Sequence, residues 1–489
     1  MSHIKTSDLL NATSEPSSGH FNLKARKGWL WGAAEQLLQR GLTMVVSLVL
    51  ARMLDPEAFG LIASVSIFFA VAQQLIDGGI GSRIVQKKEI LEEDYLAFFW
   101  CNAGMSLLTC GLLVVFSQAI ALFYGDPKLQ PVVMVMAVVV FLMNAGRVQD
   151  SRLIRELQFK KFSLVVVISV LAGSIAGLIL AFAGAGVWAI LGQQLVFSLT
   201  RAVALWRIEF WRPSGLPAWR AVKDLYSFGL PLMVSQTIRG FSEQLINALG
   251  ARYVGMTPLG FYDRGRFIPG NAATFVQCIF FRTNLTLLSK LQHRDDEFRS
   301  VYLDFLQVVI PFCSLLLTGL AVCAPEIIEV VLGAKWLPSI WYFRAGCVMS
   351  GLYLFFLINQ EALRAKGAVA ELFRQNIIYA ILQVVFVSIG LVAGLPGMFA
   401  GLILGCGVSC LLHMRVVGMK SLITVSSQFR VLVKPFFWAL FMTLLMLWIR
   451  LNVAALWIKF MLCGITGAIT LGLFLYIIFT EKTESKSEL

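Results

Sequence analysis

Apolar runs of about twenty residues recur from residue 29 to residue 480, separated by short polar or charged connections. A run of that length, wound as a helix, matches the hydrocarbon thickness of a bilayer. The chain is therefore expected to be all-α and polytopic in the membrane, with about fourteen spans. They lie near 29–50, 59–78, 96–122, 131–148, 163–183, 187–206, 229–250, 260–281, 301–323, 338–360, 376–394, 397–417, 432–450 and 456–480. The eighth has the lowest hydropathy, because its first turn carries charges and Pro269 and Gly270 interrupt it.

The charges between spans set the orientation. With all fourteen spans crossing and the N-terminus inside, the outer loops and adjoining helix ends hold Arg52, Lys128, Arg252, Lys335, Arg450 and Lys459. Arg40, Arg239, Arg264, Arg266 and Arg344 lie within spans, and the rest of the 41 Lys and Arg fall inside. That asymmetry is the positive-inside pattern, and removing the eighth span would invert it for the loops at 361–375 and 413–434. Both termini are expected in the cytoplasm, with 1–27 and 481–489 as tails. Residues 1–27 are polar, end in Lys24, Arg26 and Lys27, and do not have the form of a signal peptide. The net charge of +13 is spread over these short loops rather than gathered on a soluble domain, which excludes nucleic acid as a partner. No loop is long enough for a soluble catalytic domain, so the chain is not expected to be an enzyme. Nine cysteines, scattered almost wholly in apolar runs, and four histidines in the tail and loops show no ligand spacing. No metal, no cofactor and no disulfide is expected.

Within this apolar background, residues 231–282 stand out. Gln236, Arg239, Glu243 and Asn247 recur at spacings of three and four, on one face of the seventh span, and Asp263, Arg264 and Arg266 follow in the eighth. A charge at the centre of a membrane helix costs about 3 kcal/mol on insertion scales, so such residues face protein or a watery cavity. Arginines outnumber carboxylates here, and pairing Arg239 with Glu243 leaves positive charge over. A cationic cavity is expected.

The chain also repeats itself. A shift of 200 residues lays Gln36, Ala51, Arg52 and Gly60 on Gln236, Ala251, Arg252 and Gly260, and the stripe of span seven falls on Gln36, Gln39, Thr43 and Ser47 of span one. Two parallel six-helix lobes are expected, at 28–207 and 229–417, related by an axis along the membrane normal. An interfacial linker at 208–228 carries a Trp-rich amphipathic stretch, and two extra spans occupy 418–480. The first stripe should then face the second across the cavity.

Residues 50–89 carry Ala51-Arg52, Leu54, Pro56, Phe59-Gly60, Asp77-Gly78-Gly79 and Val85-Gln86 entering a basic loop. This run resembles the Wzx-type oligosaccharide flippases of the multidrug/oligosaccharidyl-lipid/polysaccharide exporter superfamily. Topology extends the likeness over residues 28–480. The resemblance implies a V-shaped pair of lobes working by alternating access in the bacterial inner membrane. The implied cargo is an undecaprenyl-pyrophosphate-linked oligosaccharide, serving exopolysaccharide, capsule or O-antigen assembly, with a polysaccharide polymerase and export machinery as partners. In the superfamily's lipid II flippases the two extra helices are associated with the lipid tail.

Pyrophosphate needs positive charge along its path, and arginine supplies planar, multidentate donors. Arg239, Arg40, Arg264, Arg266 and Arg344 are the substrate-binding candidates, with Gln36, Gln236 and Asn247 beside them. Arg264 and Arg266 sit near the outer end of their span, where an exposed rim explains them equally well, and Arg344, among Trp341 and Tyr342, also fits an interface anchor. Glu35 and Glu243 are candidates for proton coupling or for plain neutralisation of an arginine, and Asp77 for a helix-end or gate role. Trp29, Trp31 and Trp188 fit interfacial anchors. Two rivals stand beside the flippase. A multidrug extruder of the same superfamily would line its lobes with acidic residues, and a membrane-embedded glycosyltransferase or ligase would need a sizeable external loop.

Overall fold

The computed structural model describes residues 39–77, 84, 90–292, 294–421 and 423–453, with scattered residues between 458 and 474. Among the described residues all regular secondary structure is helical. The helices are α1 (39–53), α2 (Pro56–Asp77), α3 (Glu92–Tyr124), α4 (Leu129–Asn144), α5 (Arg147–Arg155), α6 (Phe159–Phe182), α7 (Val187–Ile208), α8 (Trp219–Tyr253), α9 (Met256–Lys290), α10 (Asp295–Val322), α11 (Ile340–Ala365), α12 (Val369–Gly390), α13 (Gly394–Ser421) and α14 (Val425–Asn452). About half of the fourteenth predicted span, and the first ten residues of the first, lie outside the described residues.

Local chemistry sets the ends. Pro56 opens α2, where its missing N–H has no helical partner to lose. The Asp94 carboxylate accepts the Leu91 N–H at the start of α3, whose first turn holds Glu92, Glu93 and Asp94 against the positive helix end. Residues 209–218 carry no regular structure and Trp219 opens α8, so the 208–228 stretch is divided between an irregular link and the first turns of α8.

The side-chain distribution is that of a protein in lipid. Along α3, Asn102, Ser106, Thr109 and Ser117 are buried, while Leu108, Leu112, Val115, Phe116 and Leu122 are exposed. Polar groups point inward and apolar ones outward, the arrangement a hydrocarbon surround requires. Nine helical stretches among the described residues are long and apolar enough to cross a membrane by length and composition. Neither α8 nor α9 is among them. α8 packs on α2, α3 and α12, and α9 on α2, α10 and α11, so protein rather than lipid covers their polar faces.

Helices α6 and α7, α3 and α4, α12 and α13, and α9 and α11 are close neighbours, and α14 lies against α10. Helix α2 joins the first group of helices to the second, lying against both α8 and α9. At this seam the sequence repeat becomes physical. A Cβ on Gly60 would overlap the Met256 carbonyl, and a Cβ on Gly260 would overlap the Pro56 carbonyl. The repeat's 200-residue offset exchanges these two contacts, as a two-fold axis between equivalent helices would. Only glycine lets the starts of α2 and α9 touch backbone to backbone.

The same end of the bundle is clasped by the connection between α10 and α11. Trp336 donates its indole N–H to the Ala51 carbonyl at 2.8 Å, Lys335 Nζ donates to Leu54 at 2.7 Å, and Arg52 donates to Val330 at 3.2 Å. Trp336 is fully buried, with Phe59 and Phe261 edge-on to its ring.

Candidate functional site

The polar stripe of α8 does not act as one unit, because α8 has neighbours on two sides. Asn247, 1% exposed, turns to the seam: its side-chain N–H donates to Ser66 Oγ of α2 at 2.8 Å, and Ser66 donates to Gln244 Oε1 at 2.8 Å. Gly240, on the same side, lies against Gln74 and Ala70. Arg239 and Glu243 instead turn into the C-terminal group of helices. They form an i,i+4 ion pair, Nε to Oε1 at 3.7 Å, too long for a hydrogen bond. Arg239 sits beside Tyr353 of α11 and Tyr379 of α12.

Glu243 also interacts with Arg266 from α9. Its Oε1 is buried and has no hydrogen-bond partner. The Arg266 guanidinium lies over the Tyr262 ring, 4.9 Å from its centroid. Two guanidinium groups therefore flank one carboxylate, which leaves the cluster with a net positive charge. A cavity of about 270 Å³ opens beside it, lined by Glu243, Arg266, Gln277, Tyr353 and Tyr379 among others. In this protein-lined interior, donors on arginine are strong sites for an anion, since a charge-assisted hydrogen bond contributes about 1.5–3 kcal/mol net.

The remaining candidates lie elsewhere. Arg264 is held by Asp263 at 2.7 Å, reaches Ser47 Oγ of α1 at 2.7 Å, and sits over the rings of Phe59 and Phe267 at 4.4 and 4.5 Å. It is a seam residue with its charge matched, and the exposed rim considered for it does not apply to a side chain 11% exposed. Ser47 meets α9 rather than α8, just as its repeat equivalent Asn247 meets α2. Arg344 is exposed, donates to the Ala321 carbonyl at 3.3 Å, and lines a separate groove of about 720 Å³ between α10, α11 and α14, with Arg450. Arg40 is partly exposed near the described start of α1 and does not line the cavity. Glu35 and Gln36 lie outside the described residues, as do the side chains of Gln236 and Asp77. Among the described residues no group of three or more His, Cys, Asp or Glu could hold a metal.

Sequence reasoning missed Tyr353, Tyr379 and Gln277. Their signal is a phenol or amide inside an apolar span, where a polar tip needs a partner.

Residues 49–341 match a family profile described as "Polysaccharide biosynthesis protein". The chain is 27% identical over 387 residues to the lipopolysaccharide biosynthesis protein WzxC of Escherichia coli K12, covering 78% of each. It is 26% identical over 314 residues to the succinoglycan biosynthesis transport protein ExoT of Rhizobium meliloti, covering 63% of this chain and 62% of that one. Among solved structures, the lipid II flippase MurJ in an inward closed conformation aligns with a TM-score of 0.73 at 13% identity, over 93% of this chain and 99% of its own. An inward-facing multidrug resistance transporter of the MATE family aligns with a TM-score of 0.55 at 15% identity, over 80% and 94%. At these identities the two structures establish the transporter fold and nothing about cargo.

Proposed function

The chain belongs to the polysaccharide biosynthesis protein family, and we propose that, as a member of the multidrug/oligosaccharidyl-lipid/polysaccharide exporter superfamily, it flips undecaprenyl-pyrophosphate-linked oligosaccharide repeat units across the bacterial inner membrane. The lobes 28–207 and 229–417 would alternate their access to the two sides about the α2–α8–α9 seam, with 208–228 as the link and 418–480 as an appendage on the lipid side. Both termini would lie in the cytoplasm. The delivered repeat units would pass to a polymerase and export machinery that assembles exopolysaccharide, capsule or O-antigen.

One observation carries the choice of cargo: Arg239 and Arg266 flank Glu243 in the protein interior, a net positive cluster at a cavity. Cationic drugs would be repelled there, which sets the multidrug alternative aside. Polyprenyl pyrophosphate would be attracted, with Arg239 and Arg266 as its donors. Arg264 would close the seam, and Glu243 would hold the two arginines apart between cargoes, with coupling to protons as a second role. A transport role also agrees with the similarity to ExoT, a succinoglycan biosynthesis transport protein.

Deleting the gene and profiling membrane lipids by mass spectrometry tests the proposal. Lipid-linked oligosaccharide should accumulate and surface polysaccharide should fall. Lost polysaccharide with no accumulated glycolipid would place the protein at another step.

A further inference from the structure

The groove between α10, α11 and α14 shares no lining residue with the cavity beside Glu243, and its chemistry changes along its length. Leu317 of α10, Val348 of α11, and Phe436 and Leu447 of α14 line its apolar part, while Arg344 and Arg450 stand at one end. From Phe436 to Arg450, α14 rises roughly 21 Å at 1.5 Å per residue. That exceeds the roughly 15 Å depth of one hydrocarbon leaflet.

The two arginines converge. Arg344 donates to the Ala321 carbonyl at 3.3 Å and Arg450 to the Val322 carbonyl at 3.2 Å, so both guanidinium groups gather at the C-terminal turn of α10. Arg450 is matched by Glu326 at 2.8 Å, whereas Arg344 has no ion-pair partner among the described residues. Two guanidinium groups against one carboxylate leave this end positive, with donors to spare. The groove also lies open. The described part of the last span packs on a neighbouring face of α14, with Phe474 edge-on to Trp438 and Gly467 beside Met446. Val348, Phe436 and Leu447 stay exposed.

An occupant must offer an anion at one end and a long apolar body behind it. A soluble anion has no use for the apolar length, and a neutral lipid has none for the guanidinium groups. Phosphatidylethanolamine would bring an ammonium beside two arginines, while an undecaprenyl chain would overrun the groove. We propose that this groove binds an anionic phospholipid of the outer leaflet, its phosphate held by Arg344 and Arg450 and one acyl chain laid along α14. A basic pocket between membrane helices is a form that recognises anionic headgroups. The site stands apart from the cargo path and takes only its outer position from the orientation proposed above. A lipid seated there would pack α14, and with it the 418–480 appendage, against α10 and α11.

The test is native mass spectrometry of the full chain in an equimolar mixture of phosphatidylglycerol, phosphatidylethanolamine and undecaprenyl phosphate. The wild type should retain phosphatidylglycerol over phosphatidylethanolamine fivefold or more. Arg344→Gln should shrink that preference to twofold or less, and Arg344→Lys, which keeps the charge, should preserve most of it. Ala439→Phe narrows the groove and should lower bound phosphatidylglycerol threefold or more. Arg252→Gln, at an exposed arginine over Phe123 that does not line the groove, should change nothing. A wild type without the preference, a full preference in Arg344→Gln, or undiminished binding in Ala439→Phe overturns the site. Undecaprenyl phosphate displacing phosphatidylglycerol overturns it too, and gives the groove to a carrier lipid.

Discussion

Replacing Gly60 or Gly260 by valine should force apart the end of the bundle where α2 and α9 begin. Each glycine faces a backbone carbonyl of the other helix, and a Cβ at either position would overlap it. Backbone cannot move aside as a flexible side chain can, so the helices must separate by roughly 1.5 Å to restore ordinary van der Waals contact. Overpacking of this kind costs about 1–3 kcal/mol. That is enough to shift a two-state equilibrium about 5–150-fold. The clasp opposes separation, because Trp336, Lys335 and Arg52 all bond to the backbone across the seam. Spin labels at exposed Leu122 and Val392 would report the distance across this end. Gly60→Val and Gly260→Val should each broaden the distribution toward longer distances, and by similar amounts, since the two contacts are reciprocal. Gly104→Val, where a Cβ meets nothing within 4 Å, should leave it unchanged. Unshifted distributions in both seam variants, inserted at normal abundance, would refute the backbone contact as the element that seats this end.

Three further expectations follow from the charges. If Glu243 or Glu35 carries a coupling proton, Glu243→Gln or Glu35→Gln should flatten the dependence of transport on pH between pH 6 and 8; normal rates in both across that range would exclude both from coupling. Glu326, with a side chain 4% exposed, holds Arg450 at 2.8 Å and ties α14 to the 324–327 turn; Glu326→Leu should cost about 1.5–3 kcal/mol by removing a charge-assisted bond, read as a lower melting temperature, and an unchanged one would argue against the pair. Alkaline phosphatase fused after residue 127 or 335 should be active and after residue 290 or 420 inactive; an active fusion after 290 would take α9 out of the membrane count.

Much of this architecture was legible because lipid simplifies the code. Runs of twenty apolar residues can do little else but span, and the irregular positions of α8 and α9 stood out against them. The equivalence of Gly60 and Gly260 was visible as a repeat, but not that each touches the other's helix, because a repeat says which residues correspond and not where the axis lies. The stripe Arg239–Glu243–Asn247 marks one helical face, yet α8 is wedged between α2 and α12, so its edges belong to different neighbours. Arg264 and Arg266 were grouped because they adjoin in sequence. Positions two apart in a helix differ by about 200° around its axis, which sends Arg264 to the seam and Arg266 to the cavity. Tyr353 and Tyr379 could be joined to Arg239 only by the packing of α11 and α12 around α8.

The most direct test of cationic recognition is the rate at which the reconstituted protein flips undecaprenyl-pyrophosphate-linked oligosaccharide in vesicles. Wild type, Arg239→Lys and Arg239→Ala should be compared at equal incorporation. Loss of one charge-assisted contact of about 1.5–3 kcal/mol, at about 1.4 kcal/mol per tenfold, predicts a rate lower by an order of magnitude or more for Arg239→Ala. Arg239→Lys, which keeps the charge and loses the planar fork, should fall between. A wild-type rate in Arg239→Ala would contradict cargo recognition through this cluster.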